Sequence, residues 1–370
     1  MKLRAFKQVD VFTATPYFGN PLAVVLDGRG LNDETMQRFA RWTNLSETTF
    51  LLPPSDATAD YRVRIFTPAG ELPFAGHPTL GSSHGWLQAG GQPRARDVIV
   101  QECQVGLVKI RREPGTQRLA FAAPPLKRSA PSPLQLAQVA AALGLKEHAP
   151  TLATACASGG ALPHSQEERA VFPRGGPSEN FAPTLATACA ALPPEGAVFP
   201  RGGPSEKYPQ IVAAQLLDNG PVWLALLLDS PQTVLQLTPD HQQLEKLDVK
   251  VGVVAAYPRE EAPPLIGRAN REARAFDPLS PAAAATNPAP DFEVRAFAAS
   301  IGINEDPVTG SLNASLAQWL MAEGRAPERY LASQGICLGR AGQVHIERDA
   351  AGQVWVGGEA VTCIDGQVML

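Results

Sequence analysis

The feature that most constrains this sequence of 370 residues is a short pattern that occurs once in each half. The pattern E-x-P-x-x-G spans residues 71–76 and again residues 305–310, and a strand-like segment V-R-x-F precedes it at 63–66 and at 294–297. A segment with helical features follows each final glycine. The shared order of strand, turn, glycine and helix predicts two halves of similar construction with one site between them.

The two predicted helix starts are candidate anion-binding sites. A helix start presents unpaired backbone N–H groups and the positive end of the helix dipole, and glycine there lets a ligand approach the backbone closely. We therefore expect Gly76, His77, Gly310 and Ser311 to bind a small carboxylate substrate from two sides.

Three side chains near these starts are candidate catalytic residues. His77 and Asp306 are able to move protons, and Glu47 is an acid at the start of an otherwise β-rich, apolar segment. A general base works best when its pKa lies near the operating pH. We expect apolar neighbours such as Phe50 and Leu45 to raise the pKa of Glu47.

Several local patterns predict individual helices. Asn32 is a typical N-cap for an amphipathic helix with a buried face of Met36, Phe39 and Ala40. Pro78 is predicted at the first position of the helix that follows Gly76. The helix that follows Gly310 is predicted to have one apolar side, formed by Leu312, Leu316, Trp319 and Leu320.

Composition and motifs exclude several classes of protein. The net charge of −4 argues against nucleic acid as a partner, and the longest apolar run, 222–228, is too short to cross a membrane. Residues 1–7 alternate charged and apolar side chains, so no secretory signal is expected and the cytoplasm is the predicted location. Five separated cysteines and the lack of common metal and nucleotide motifs predict neither disulfides, metal nor nucleotide cofactor. The G-x-S-x-G at 81–85 raises a serine hydrolase as an alternative, which its place inside a predicted helix disfavours.

A repetitive segment rich in Ala, Pro and Gly spans about residues 149–205. Residues 150–157 recur as 183–190. The composition predicts a flexible insertion without a catalytic role. A second such stretch spans residues 258–290.

Three longer strings, in this order along the chain, resemble signatures of the phenazine biosynthesis PhzF-like family. They are NLSETTF at 44–50, FTPAGELPFAGHP at 66–78 and GINEDPVTGS at 302–311. The resemblance covers residues 1 to about 125 and 210–370. It implies an α+β fold of the diaminopimelate epimerase type, with two pseudo-twofold α/β halves that each wrap a curved, mostly antiparallel sheet round a central helix.

The resemblance also implies how the halves divide and what they do. The first half is expected at 1–127, with the C-terminal strand 361–370 as a candidate to complete it, and the second at 128–360. Glu47 is implied as the principal acid and base, with His77, Asp306 and Ser311 around the substrate. No cofactor and no metal are implied, and a homodimer is typical.

One difference separates this chain from the related epimerases and proline racemases, which carry a cysteine at each helix start. The matching positions here are Ala75 and Thr309. A single carboxylate that moves a proton between two carbons, a 1,3-hydrogen shift, fits better than inversion by two thiols. Two alternatives stay open: a racemase or epimerase that uses Glu47 and Asp306 as opposed bases, and a non-catalytic binding or scaffold protein. The substrate itself is left open.

Overall fold

A computed structural model describes residues 1–145, 210–258 and 289–370 of the chain. Residues 1–145 contain β1 Leu3–Val11, β2 Asn20–Val25, α1 Asp33–Thr43, β3 Glu47–Leu52, β4 Tyr61–Phe66, β5 Glu71–Leu72, α2 Gly76–Gln88, β6 Val98–Cys103, β7 Gly106–Arg112, β8 Leu119–Ala122, β9 Lys127–Ser129 and α3 Pro133–Ala142, of which α3 packs against strands of the second half. The second half contains β10 Ile211–Asp218, β11 Val222–Leu228, α4 Pro231–Gln236, α5 His241–Lys246, β12 Lys250–Ala256, β13 Phe292–Ala298, β14 Ile303–Asp306, α6 Gly310–Ala322, β15 Arg329–Gln334, β16 Gly342–Arg348, β17 Val354–Gly358 and β18 Ala360–Met369.

The two halves repeat one strand topology. In the first half β1 and β2 are antiparallel, β2 and β3 parallel, and β3 and β4 antiparallel. Strands β10 to β13 repeat this sequence of pairings. Strands β8 and β17 pair with each other and join the halves into one mixed sheet. The prediction of an α+β fold with two similar halves is confirmed.

The last strand of each repeat pairs with the other repeat. Strand β9 follows β8 in the chain but pairs with β10, and β18 follows β17 but pairs with β1. The division of the chain at residues 127 and 128 stays a prediction. The structure adds that the first strand of each half pairs with a strand that follows the other half in the chain.

The central helices α2 and α6 are more deeply buried than their sequences predict. The four apolar residues expected on one side of α6 are buried, and most residues on the other sides of both helices are buried as well. Gly81 explains how α2 packs so closely, because a methyl group there would lie 2.6 Å from Leu22 and 2.9 Å from Val11. The glycines that weaken a helix by propensity are here the contact surface with the sheet.

The helix starts differ in detail from the prediction. Helix α2 begins at Gly76, so Pro78 occupies its third position and not its first. The N–H of the third residue also has no partner inside a helix, so a proline is accommodated there without a lost hydrogen bond. In α1 the prediction is confirmed, since the side chain of Asn32 accepts a hydrogen bond from the Thr35 N–H at 2.9 Å.

The repetitive segment 149–205 lies outside the described residues, as does 259–288, which is most of the second stretch. Within the described ranges, every helix is too short or too polar to span a lipid bilayer.

Candidate active site

The starts of the two central helices meet at a pair of glycines. A methyl group added to Gly76 would lie 2.8 Å from the Cα of Gly310, and one added to Gly310 would lie 2.9 Å from the Cα of Gly76. The contact therefore requires glycine on both sides. It brings the positive ends of α2 and α6 together, as the repeated pattern predicts.

Neither helix start has a side chain that caps it. The N-cap residues are Ala75 and Thr309, and neither makes a side-chain cap hydrogen bond. Gln334 holds Thr309 in place, because its Oε1 accepts the Thr309 N–H at 3.0 Å and its Nε2 donates to the Thr309 hydroxyl at 3.0 Å. The next N–H groups, from Gly310 and Ser311, have no capping side chain and suit an anion.

Glu47 and His77 face each other beside this junction. Glu47 is the first residue of β3 and its side chain is 12 % exposed, whereas His77 lies in the first turn of α2 and is 3 % exposed. The His77 Nε2 and the Glu47 Oε2 lie 3.4 Å apart, yet neither atom has a hydrogen-bond partner among the described residues. Two buried polar atoms without partners are costly, and they mark a place where a ligand can bind.

Asp306 approaches the same place from the second half. It ends β14, and its carboxylate accepts hydrogen bonds from the Asn20 amide at 2.8 Å and from the Thr309 hydroxyl at 2.7 Å. Asn20 also donates to the Val308 carbonyl at 3.0 Å. The buried Asn20 therefore ties the first strand layer to the turn that carries Asp306.

Asn20 also influences the imidazole of His77. Its Nδ2 lies 3.4 Å from the His77 Nδ1. A donor beside Nδ1 favours the tautomer that carries its proton on Nε2, the nitrogen that faces Glu47. Burial lowers the pKa of His77 to about 3, so the imidazole is neutral at neutral pH and able to donate from Nε2.

Burial has the opposite effect on the two carboxyl groups. It raises the pKa of Glu47 well above its usual range, and the charge of Asp306 raises it further. Burial also raises the pKa of Asp306 to about 6, against the hydrogen bonds from Thr309 and Asn20. Both acids therefore accept protons at a higher pH than exposed carboxyl groups.

The expected direction of the Glu47 shift agrees with the structure, but the neighbours expected to cause it are wrong. Phe50 packs with Met36 and Phe39 in a separate cluster on the other side of β3. Leu45 lines a surface groove. Successive side chains of a strand alternate between its faces, so Phe50 points away from Glu47.

The sequence-predicted residues Glu47, His77, Gly76, Gly310 and Asp306 thus come together around one junction. Ser311 is buried in the first turn of α6, where its carbonyl accepts the Asn219 amide at 2.9 Å.

Sequence reasoning missed Asn20 and Lys250. Asn20 directly precedes a β-rich segment and carries no motif signal. Lys250 is the first residue of β12, and its positive charge lowers the pKa of Glu47. Burial lowers the pKa of Lys250 itself.

Other chemistries find little support among the described residues. No group of three His, Cys, Asp or Glu side chains there is arranged to hold a metal ion. Ser83 lies inside α2, where its hydroxyl donates to the Thr79 carbonyl at 2.9 Å, so it does not form a strand-to-helix nucleophile turn. Of the five cysteines, Cys103 lies on β6, Cys337 in the turn after β15 and Cys363 on β18, and Cys156 and Cys189 lie outside the described residues.

Known proteins similar to this chain share its full length or its motifs. It is 29 % identical to antisense-enhancing sequence 1 of Schizosaccharomyces pombe, over 99 % of both chains. It is 47 % identical to trans-2,3-dihydro-3-hydroxyanthranilate isomerase of Pseudomonas aeruginosa over 100 residues, which are 27 % of this chain and 34 % of that enzyme.

A solved structure shows the same fold. The PhzF-family phenazine biosynthesis protein of Bacillus anthracis superimposes with a TM-score of 0.65 at 17 % identity, over 100 % of both chains. The family model described as phenazine biosynthesis-like protein matches residues 9–163 and 204–366. Because this match covers most of the chain, the protein belongs to the phenazine biosynthesis-like, or PhzC-PhzF, family.

Proposed function

We propose that this chain, an isomerase of the PhzC-PhzF family, moves a proton between two carbons of a small unsaturated carboxylic acid, with Glu47 as the proton carrier and without cofactor or metal. The Glu47 carboxylate takes a proton from a C–H bond, and the electron pair of that bond spreads over the conjugated carbons and the carboxylate. The protonated Glu47 then returns its proton two carbons away. Atoms and electrons balance without a further reactant.

The unpartnered Glu47 Oε2, 3.4 Å from the unpartnered His77 Nε2, carries this proposal. A neutral imidazole beside the carboxyl can donate a hydrogen bond to the substrate or to Glu47 without adding charge. The free N–H groups at the two helix starts suit the negative charge that develops on the substrate. The raised pKa of Glu47 suits a group that must both accept and return a proton near neutral pH.

The substrate named for the Pseudomonas aeruginosa relative, trans-2,3-dihydro-3-hydroxyanthranilate, is the first compound to test. Its isomerisation is followed by NMR with wild-type protein, E47Q and the matched control E245Q, whose glutamate is exposed on α5. We expect E47Q to lose about 10³-fold in rate and E245Q to keep the wild-type rate. A fully active E47Q contradicts the proposal.

A racemase or epimerase is the second candidate, because Asp306 shares the cleft and has a pKa raised to about 6. Both carboxylate oxygens of Asp306 already accept hydrogen bonds, whereas Glu47 has a free oxygen. That difference favours one proton carrier over two opposed bases. Deuterium uptake from solvent with inversion of the same carbon supports the racemase.

The isomerase names of several relatives weigh against a non-catalytic scaffold. A cytoplasmic location and a homodimer stay predictions that follow from the sequence and from the family resemblance.

A further inference from the structure

We propose that Lys250 binds the carboxylate of the substrate, opposite Glu47, so that the enzyme is specific for a small molecule with its acid group on the side of the second half. This inference rests on the proposed function for the position of the reacting carbons. It adds a binding residue and the orientation of the substrate.

Strand register identifies Lys250 as the counterpart of Glu47. Phe66 and Phe297 end the repeated V-R-x-F segments, and they pair with Thr48 and Val251. The preceding residues of β3 and β12 are therefore Glu47 and Lys250. In the parallel pairs, Glu47 lies beside Leu22 and Lys250 lies beside Trp223.

The face of β12 that carries Lys250 lies against the helix α6. Gly252, two residues further on the same face, would place a methyl group 2.3 Å from a Cδ of Leu312. Leu312 is the third residue of α6. Since side chains two apart in a strand share a face, Lys250 lies on the side of the helix start.

Two further polar atoms on this wall have no partner. The Trp223 Nε1, beside Lys250 in the sheet, is buried, and Trp223 is 3 % exposed. The Asn219 Oδ1 is also buried without a partner, although its Nδ2 donates to Ser311. An indole N–H, a lysine ammonium and the N–H groups of α6 together provide the donors that a carboxylate accepts.

Lys250 has no ion pair within 4.0 Å among those found in the described part of the chain. The positive charge of Lys250 nevertheless lowers the pKa of Glu47. A half-buried ammonium without a close counter-ion is unfavourable unless an anion compensates it. A substrate carboxylate is the anion that the proposed reaction supplies.

Two ligands that differ only in the carboxylate measure how much that group contributes to binding. Anthranilate and its neutral isostere anthranilamide are titrated calorimetrically into wild-type protein, K250M, K250R and the control K246M, whose lysine is exposed on α5. We expect wild type, K246M and K250R to prefer anthranilate, and K250M to lose that preference by about tenfold or more. Thermal unfolding checks that K250M is folded, and K250Q replaces it if it is not.

A second measurement tests whether the charge of Lys250 acts on Glu47 in the cleft. Removal of the Lys250 charge raises the pKa of Glu47 further, so the pH midpoint of turnover moves upward in K250M and not in K246M. Wild-type protein that binds anthranilate no better than anthranilamide, or does not bind anthranilate, overturns the proposal, and so does an unchanged preference in K250M. E47Q keeps the two proposals distinguishable, because an active E47Q defeats the proposed function and leaves the binding preference of K250M unaffected.

Discussion

The two halves of the molecule share their strand topology and an equivalent ion pair, but they place different side chains at the cleft. In the first half Arg64 forms two hydrogen bonds to Glu71, and in the second Arg295 forms two to Glu305. Each guanidinium lies 5.0 Å from the ring of the phenylalanine two residues later. The glutamates that begin the repeated E-x-P-x-x-G pattern are therefore structural ion-pair partners in both halves.

The residues that face the cleft do not follow this symmetry. His77 at the start of α2 corresponds to Ser311 at the start of α6, Leu72 corresponds to Asp306, and Glu47 corresponds to Lys250. The frame can place identical groups on both sides of a ligand, as a two-base inversion needs. At equivalent positions of β3 and β12 this chain has the Glu47 carboxyl group in one half and the Lys250 ammonium in the other, which suits one proton carrier and one anchor.

The largest expected effect separates the two ion pairs by their burial. Arg295 and Glu305 are 6 % and 7 % exposed, whereas Arg64 and Glu71 are each 21 % exposed. R295M should cost about 3–5 kcal/mol because it leaves a buried carboxylate unpaired, and R64M should cost about 1 kcal/mol. Urea denaturation measures both. Equal costs would show that the two pairs are not differently buried in solution.

The contact between Gly76 and Gly310 should not tolerate a larger residue at either position. In G76A or G310A the new methyl group would meet backbone atoms of the opposite helix start at 2.8–2.9 Å. We expect each variant to lose about 1–3 kcal/mol of stability and to lose turnover. G70A is the matched control, since a methyl group at Gly70 meets nothing within 4 Å. Stable and active G76A and G310A would mean that the helix starts do not touch.

The pH dependence of stability tests the cleft acid of the second half. Asp306 has a pKa of about 6 in the folded chain against 3.8 for the free group, so between these values the folded state binds more protons than the unfolded state. The contribution of Asp306 to stability should therefore fall as pH rises from about 4 to about 6, by about 2 kcal/mol, whereas the lowered pKa of His77 contributes in the opposite direction. The difference between wild type and D306N in denaturation curves over this pH range isolates the Asp306 contribution. An identical slope in D306N would place the titrating group elsewhere.

The smallest effect concerns the cysteines. The N-cap positions are Ala75 and Thr309 and carry no thiol, and the exposed Cys337 lies in the turn that follows β15. Iodoacetamide should alkylate Cys337 yet leave turnover within about twofold, because thiols take no part in one-carboxylate transfer. Loss of turnover that substrate protects against would indicate a thiol in the cleft.

Much of the frame could be predicted because it depends on local signals. The repeated E-x-P-x-x-G predicts a helix after each final glycine, within two residues of the observed starts, and Asn32 predicts the start of α1. The packing of the central helices could not be predicted in this way. Gly81 has a low helix propensity, and it stabilises α2 only because the sheet packs closely against it.

Site residues that lie within a motif could be predicted from the sequence. A site residue that is identified only by strand pairing could not. Glu47, His77 and Asp306 lie in recognisable strings. Lys250 is the counterpart of Glu47 only through the register of β12 with β13, and residues 259–288 separate those strands in the chain. The equivalence of Lys250 and Glu47 is therefore visible in the strand pairing and not in the spacing along the sequence.

Proton transfer by Glu47 alone is tested most directly by following the proton with an isotope label. The first compound to test, trans-2,3-dihydro-3-hydroxyanthranilate, is given deuterium at the carbon that would lose its proton and is incubated with the protein in ordinary water for a single turnover. The label in any product is located by NMR. A single buried carrier, 12 % exposed, predicts that part of the deuterium appears two carbons away. Complete loss of the label to solvent, with a solvent proton on the inverted face of the same carbon, would contradict transfer by Glu47 alone.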